Sequence, residues 1–543
     1  DTNTWVGGVV PTSTSEVIIP DNIVVTVSDT QAVNTLKVTN AANVVVESGG
    51  ALSVTGDVYL GRFDFGLEVR SETSSEAMGT LTVGGSVHTL ASDDVTTSAS
   101  DKRLFVRKTL ANDKWYLLSS MSSKQPRVNR MTNSDFRTNA TPAYAIAVYN
   151  KANTSNSKYD YFSTALTNSD EVTLGTGMSV SVNGTGNTNT TGEFGYKAFY
   201  THGSSVDIAI SVDGGTSDAF NLVGNPFLSN LYGNTDANAT NVLSQNTSVL
   251  EEATLWFWNA DTSTWVTKNQ SSDAFTIPPV TGFFVKSSVA GGNFTFTKSM
   301  ETHTAQGSVS SKSASKRFEI DLSVANGKAN NNTSIKFIDE TTTSFDNGYD
   351  SSMFGGYSSD LEVYTGLVGD NSNKKLAIQS LPNSNFEEMI IPVGLTATAG
   401  SQVTFAIEVS NIPAGYNVYL EDRLNDTFTK LNEADAEYEA TVTENTTEGR
   451  FYIHVKSSVL SAGSELLNSV KIFAQNNSTL KIVGLSQGNT QVSLYNILGK
   501  QVLSTSFIAN SAQEIALPIL TQGVYIVQLE TEAGKISKKI VLE

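Results

Sequence analysis

Chemistry in this chain has to come from histidines, carboxylates, one serine motif or tryptophans, because the sequence has no cysteine. That absence excludes disulfides, thiolate metal sites and cysteine nucleophiles. Gly484-Leu-Ser-Gln-Gly488 matches the Gly-x-Ser-x-Gly elbow, which requires a strand, a sharp turn, a helix and a later histidine. No helical pattern follows Ser486, and His88, His202, His303 and His454 all precede it. Serine-hydrolase chemistry is therefore rejected. The histidines also lack His-x-x-x-His and His-Glu-x-x-His spacing, so they form no zinc motif. His454 alternates with Phe451, Ile453 and Val455, which predicts a solvent-facing position beside Tyr452 and Lys456.

The carboxylates offer more. Asp346-Asn-Gly-Tyr-Asp350, Asp360 and Glu421-Asp422 place oxygen ligands near turns. Asp346, Asp350 and Asp360 are weak calcium candidates, since none fits the calcium-loop pattern with its terminal glutamate. Asn347-Gly348 is by itself a tight-turn signal. A glycosidase pair would need two such groups across a cleft, and no glycosidase motif stands out. No other cofactor is expected: Gly184-Thr-Gly186 has no following helix to make a phosphate site. Trp256 and Trp258 alternate with Leu255 and Phe257. The strand reads as core packed on both faces, with a sugar-stacking platform on Trp256 and Trp258 as the alternative. Trp265 is placed across the hairpin from them.

The elements that would carry these groups read as all-β. At 543 residues the chain holds several domains. Only 16% of residues are charged, and Ser, Thr, Asn and Gly supply turns instead. Net charge is −19, which disfavours nucleic acid and anionic lipid as partners. No apolar run is long enough for a transmembrane helix, and a start at Asp1 reads as a processed, exported chain.

Gly50-Ala-Leu-Ser-Val-Thr-Gly-Asp-Val58 recurs as Gly79-Thr-Leu-Thr-Val-Gly-Gly-Ser-Val87, with a looser copy at Thr35–Asn40. Stacked copies would share a core, as in a β-solenoid, and their glycines could take positive φ; ordinary hairpins are the alternative. The expected order is a β-solenoid-like or repeat module over 1–100 and an aromatic-rich β-sandwich over 101–304. A linker at 305–316, a β-sandwich over 317–456 and a linker at 457–467 follow. A small seven-stranded β-sandwich over 468–543 completes the string.

That last segment carries the clearest motifs. Leu494-Tyr-Asn-Ile-Leu-Gly-Lys500 is followed by Leu517-Pro-Ile-Leu-Thr-Gln-Gly-Val-Tyr525 and by Lys538-Lys-Ile-Val-Leu-Glu543. In this order they resemble the type A C-terminal sorting domain of the type IX secretion system of Bacteroidota. The resemblance implies export across the outer membrane, with Gly499, Lys500, Gly523, Tyr525, Lys538 and Lys539 as signal residues engaging the translocon and its shuttle protein. It also implies a secreted or surface-attached location. Upstream, Val223-Gly-Asn-Pro-Phe227 and the other aromatic strands resemble modules of secreted proteins from the same bacteria. The expected function is structural or adhesive and not enzymatic. Two alternatives remain: a carbohydrate-binding or polysaccharide-degrading accessory protein using Trp256 and Trp258, and a filament subunit pairing edge strands. Copies of the chain and surface glycans are the corresponding partners.

Overall fold

The computed structural model describes the chain except residues 1–4, 7, 40, 62–65, 72, 75, 85–86, 90–103, 122–142, 155–157, 164–171, 184–190, 199–203, 216–217, 308, 310–316, 356–359, 370–373, 458–469, 486–487, 510–511, 532–533 and 543. Gly184–Gly186, Ser486, His202 and most of both expected linkers lie outside the described residues. The protein is all-β, in several sheets. One short α-helix, Val242–Asn246, stands among the described residues.

The N-terminal strands are β1 (Glu16–Ile19), β2 (Val24–Val27), β3 (Thr30–Val33), β4 (Thr35–Val38), β5 (Asn43–Val46), β6 (Ala51–Val54), β7 (Val58–Leu60), β8 (Leu67–Arg70), β9 (Thr80–Val83) and β10 (Val87–Thr89). Every pairing among them is parallel, in three sheets ordered β1-β4-β7-β10, β2-β5-β8 and β3-β6-β9. The chain thus visits three faces in turn and returns one rung higher, which is a β-solenoid. Leu52 pairs with Leu81 and Val54 with Val83, so the sequence repeat is a physical stack. Thr35–Val38 belongs to a different face: it stacks on Val58–Leu60 and not on the first half of that repeat.

The repeat's leading glycines answer to close approach, not to positive φ. A Cβ on Gly50 would lie 2.1 Å from the Val27 carbonyl oxygen, and one on Gly79 2.4 Å from that of Val46. Val27 and Val46 are themselves stacked partners, so the same contact recurs on successive rungs. The solenoid sheet also continues past residue 100. Strand β11 (Leu104–Ala111) adds to β8 in parallel and then pairs with Thr191–Ala198 in antiparallel.

The next unit buries Phe227, Phe275, Phe283, Phe294 and Phe296 between its sheets. Asn225 of the Val-Gly-Asn-Pro-Phe motif is fully buried. Its Oδ1 accepts from Phe227 N at 2.9 Å, while its Nδ2 donates to Ser229 O and Ile277 O at 2.9 and 3.0 Å. One side chain thus satisfies the turn's buried backbone groups.

Residues 319–457 form one eleven-stranded sheet, with Thr427–Lys430 at one end of the order and Glu437–Thr441 at the other. The sheet rolls until these ends meet over a single core. Tyr438 Oη donates to Asp422 Oδ2 at 2.7 Å, and Arg450 donates from Nε and Nη2 to both Asp422 oxygens at 2.9 and 2.7 Å. Residues 471–542 supply a three-stranded and a four-stranded sheet, seven strands around one small core.

Candidate functional site

The terminal sandwich gathers the motif residues at one end of its four-stranded sheet. Asn496 stands opposite Tyr525, and Tyr525 opposite Ile540. Asn496 Oδ1 accepts from the backbone N–H groups of Leu498 and Lys500, at 3.1 and 3.0 Å. The turn closes through Gly499, whose φ of 77° lies in the left-handed region that favours glycine. Tyr525 is buried and donates its hydroxyl to Thr521 O at 2.8 Å, pinning the loop into the next strand. Lys538 and Lys539 pair with Val527 and Ile526 in the adjoining strand, and both are exposed. Ile497 and Leu498 project from the turn, 74% and 86% exposed. The turn and the two lysines are exposed, while Tyr525 is a core residue that anchors the loop.

Residues 468–543 match the family described as the secretion system C-terminal sorting domain. This segment is a type IX secretion sorting domain. The sorting domain marks the protein for export and for a surface or extracellular location, and implies handling by the secretion machinery. No helix among the described residues is long and apolar enough to cross a membrane.

Residues 260–455 match a domain of unknown function (DUF8693). That span begins at the turn after strand Leu250–Asn259 and runs through the rest of the aromatic unit into the rolled sheet. A tongue, residues 346–354, reaches from the rolled sheet back to the hairpin of strands Leu250–Asn259 and Thr264–Asn269. Asn347 Oδ1 accepts from Ala253 N at 2.8 Å, Asn269 Nδ2 donates to Tyr349 O at 2.7 Å, and Trp256 Nε1 donates to Ser352 O at 3.0 Å. Phe354 ends the tongue among aromatic rings, its centroid 4.0 Å from that of Trp265.

No curated protein matches this chain. Among solved structures, a polysaccharide lyase is 8% identical with a TM-score of 0.12, over 42% of this chain and 40% of its own. The chain thus spans less than half of that lyase's length. A biofilm-associated protein BSP domain is 9% identical with a TM-score of 0.11, over 80% of this chain and 91% of its own. Likenesses at these scores establish neither fold nor activity.

The tongue decides between the two readings of Trp256, core and sugar platform, and overturns Asp350 as a calcium candidate. Trp256 is fully buried, covered by Phe220 and Phe354, and its N–H is spent on the tongue. It is core, and cannot be half of a sugar platform with Trp258, because its face is covered by another part of the chain. Asp350 is likewise fully buried, its two oxygens accepting from Ser380 N and Asp346 N, both at 2.6 Å. Its carboxylate holds the tongue's root instead of facing a cation. Burial, helped by Asp346 and Glu252, pushes Asp350 up to about 7. Asp346 accepts from Thr342, and Asp360 is exposed. No group of three histidine, aspartate or glutamate side chains suited to a metal stands among the described residues.

His454 is corrected too. It does point outward, but it is 5% exposed, lies against Phe428, and its Nε2 meets Glu421 Oε2 at 2.9 Å. Burial lowers its proton affinity.

Sequence reasoning missed a cleft. Strand Thr264–Asn269 is the edge of its sheet, and it faces the outer surface of the rolled sheet across a space of about 690 Å³. Trp258 and Trp265, directly opposite on the hairpin with rings 5.1 Å apart, line one wall together with Phe354. The other wall is polar: Asp321 stands opposite Ser334 on one side and Glu408 on the other, and Ser323 opposite Asn332. Glu319 and Lys336 form a buried pair at 3.5 Å beneath it. Only the Trp258–Trp265 hairpin was legible beforehand.

Proposed function

We propose that the protein does structural or adhesive work outside the cell, binding through the surfaces of its β-units and turning nothing over. The observation that supports this most is the sidedness of the cleft. Glycosidic cleavage needs carboxyl groups on either side of the scissile bond. Here Asp321 and Glu408 stand together on one sheet face, while the facing hairpin wall presents indole rings and one carboxylate, Asp273, which is paired with Arg317 at 3.8 Å. Side-by-side acceptors facing aromatic surface suit retention of a ligand. Cross-ties between units favour the same reading. His303 sits on the solenoid with its ring nitrogens 2.8 Å from the hydroxyls of Ser53 and Thr80, and Lys298 Nζ donates to Val83 O at 2.9 Å.

The test uses the full chain immobilised on beads. We expect retention on cell-surface or extracellular polysaccharide material, with no release of reducing ends or of unsaturated sugar products over prolonged incubation. Steady product release proportional to protein would overturn the reading.

A further inference from the structure

The cleft between edge strand Thr264–Asn269 and the outer face of the rolled sheet has the chemistry of a ligand site. Its volume, about 690 Å³, falls within the range of small-molecule sites. Indole rings present flat apolar faces that match the C–H faces of pyranose rings, and Trp258 and Trp265 are both only partly buried. Their positions are fixed. Trp258 Nε1 donates to Trp115 O at 3.0 Å, and Phe354 backs Trp265. The Trp265 Nε1 group is buried and has no hydrogen-bond partner among the described residues.

The opposing wall supplies hydroxyl partners. Asp321 and Glu408, like charges directly opposite on adjacent strands, oppose folding. Asp321 already accepts from Ser334 Oγ at 2.5 Å, so the exposed Glu408 is the acceptor that a ligand hydroxyl would meet. Ser323 and Asn332 continue the polar surface along the strands. Charge selects within the class. Five carboxylates and three lysines line the cleft, Lys336 is committed to Glu319, and the chain carries −19 overall. Uronate or sulfated chains would be repelled.

We propose that this cleft binds a neutral oligosaccharide, with Trp258 and Trp265 stacking on the sugar rings and Glu408 accepting from their hydroxyls. The inference rests on the adhesive reading and names the ligand class for it.

The experiment titrates the full chain with cellohexaose, laminarihexaose and mannohexaose, and with hexagalacturonate and heparin as acidic probes. Intrinsic tryptophan fluorescence and calorimetry are the readouts. At least one neutral hexaose is expected to give a saturable fluorescence change, with affinity reduced tenfold or more in Trp265→Ala. Because Trp265 packs on Phe354, Glu408→Gln is the second variant: an exposed residue whose loss of charge should weaken binding several-fold with a thermal midpoint that is no lower, since it relieves the like-charge pair with Asp321. Binding of no neutral hexaose, tighter binding of either acidic probe, or affinities unmoved in both variants would overturn the proposal. A response only to an unfolded peptide, such as carboxymethylated casein fragments, would also overturn it and assign the edge strand to β-pairing. Bead retention that persists in Trp265→Ala would leave the adhesive reading standing while this site fails.

Discussion

Glu301 and Asp350 are each pushed up to about 7, chiefly by burial. In an unfolded chain such groups titrate near 4. Between those values the folded protein holds protons that the unfolded chain has released, so stability present below pH ~4 is lost as pH rises toward 7. Each group contributes at most about 1.4 kcal/mol per pH unit in that window. Ser229 Oγ donates to Glu301 Oε2 at 2.6 Å, and Glu301→Gln retains an acceptor there without the titration. We expect the difference in thermal midpoint between pH 4.5 and pH 7.5 to shrink in that variant. An unchanged difference would exclude Glu301 as a source of the pH dependence. Single residues also mark where pattern reading stops. Alternation placed His454 outward correctly, yet could not show that Phe428 and Glu421 cover it.

At the scale of elements, the solenoid is decided by contacts one rung away. Leu52, Val54, Leu81 and Val83 fill its interior, and Gly50 and Gly79 let the turn before each strand lie against the rung below. A methyl group at either position would overlap a backbone oxygen, which no side-chain rotation can relieve. We expect Gly50→Ala and Gly79→Ala each to destabilise the solenoid by about 1–3 kcal/mol, read as faster amide exchange in β5, β6 and β9. Gly214→Ala, with nothing within 4 Å of its Cβ, is the matched control. Equal exchange in all three variants would show that rung approach is not what the glycines serve. The Gly-x-Leu-x-Val repeat was legible in sequence because identical contacts demand identical residues. Thr35–Val38 belongs to another face because Leu-x-Val fits any of the three, and the pairing with Val58–Leu60 shows which.

At the scale of the whole molecule, the sorting domain has its own core and its own two sheets. Its motif surface therefore forms without help from residues 16–457. Deleting residues 468–543 should leave the remaining protein inside the cell envelope, and fusing them to an unrelated folded reporter should carry that reporter to the surface or medium. Fractionation and immunoblotting of both strains measure this. Export of the truncated chain at the wild-type level would contradict it. The upstream units behave differently, because the tongue, the His303 contacts and β11 each join parts far apart in sequence.

The resemblance of the terminal motifs named the export signal, and the choice of solenoid over hairpins was made by the stacked pairings. Sequence alone determined the strand-rich class, the seven strands of the terminal segment and the presence of the Gly-x-Leu-x-Val repeat. Each is written in local periodicity and turn residues, which act over a few positions of chain. Only the tertiary structure decided that Trp256 is covered, that Asp350 roots a tongue, and that Trp265 faces Asp321 and Glu408 across a cleft. Alternation along a strand says which side chains share a face. What packs on that face is set by long-range contacts between residues such as Trp265 and Phe354, which no local pattern encodes.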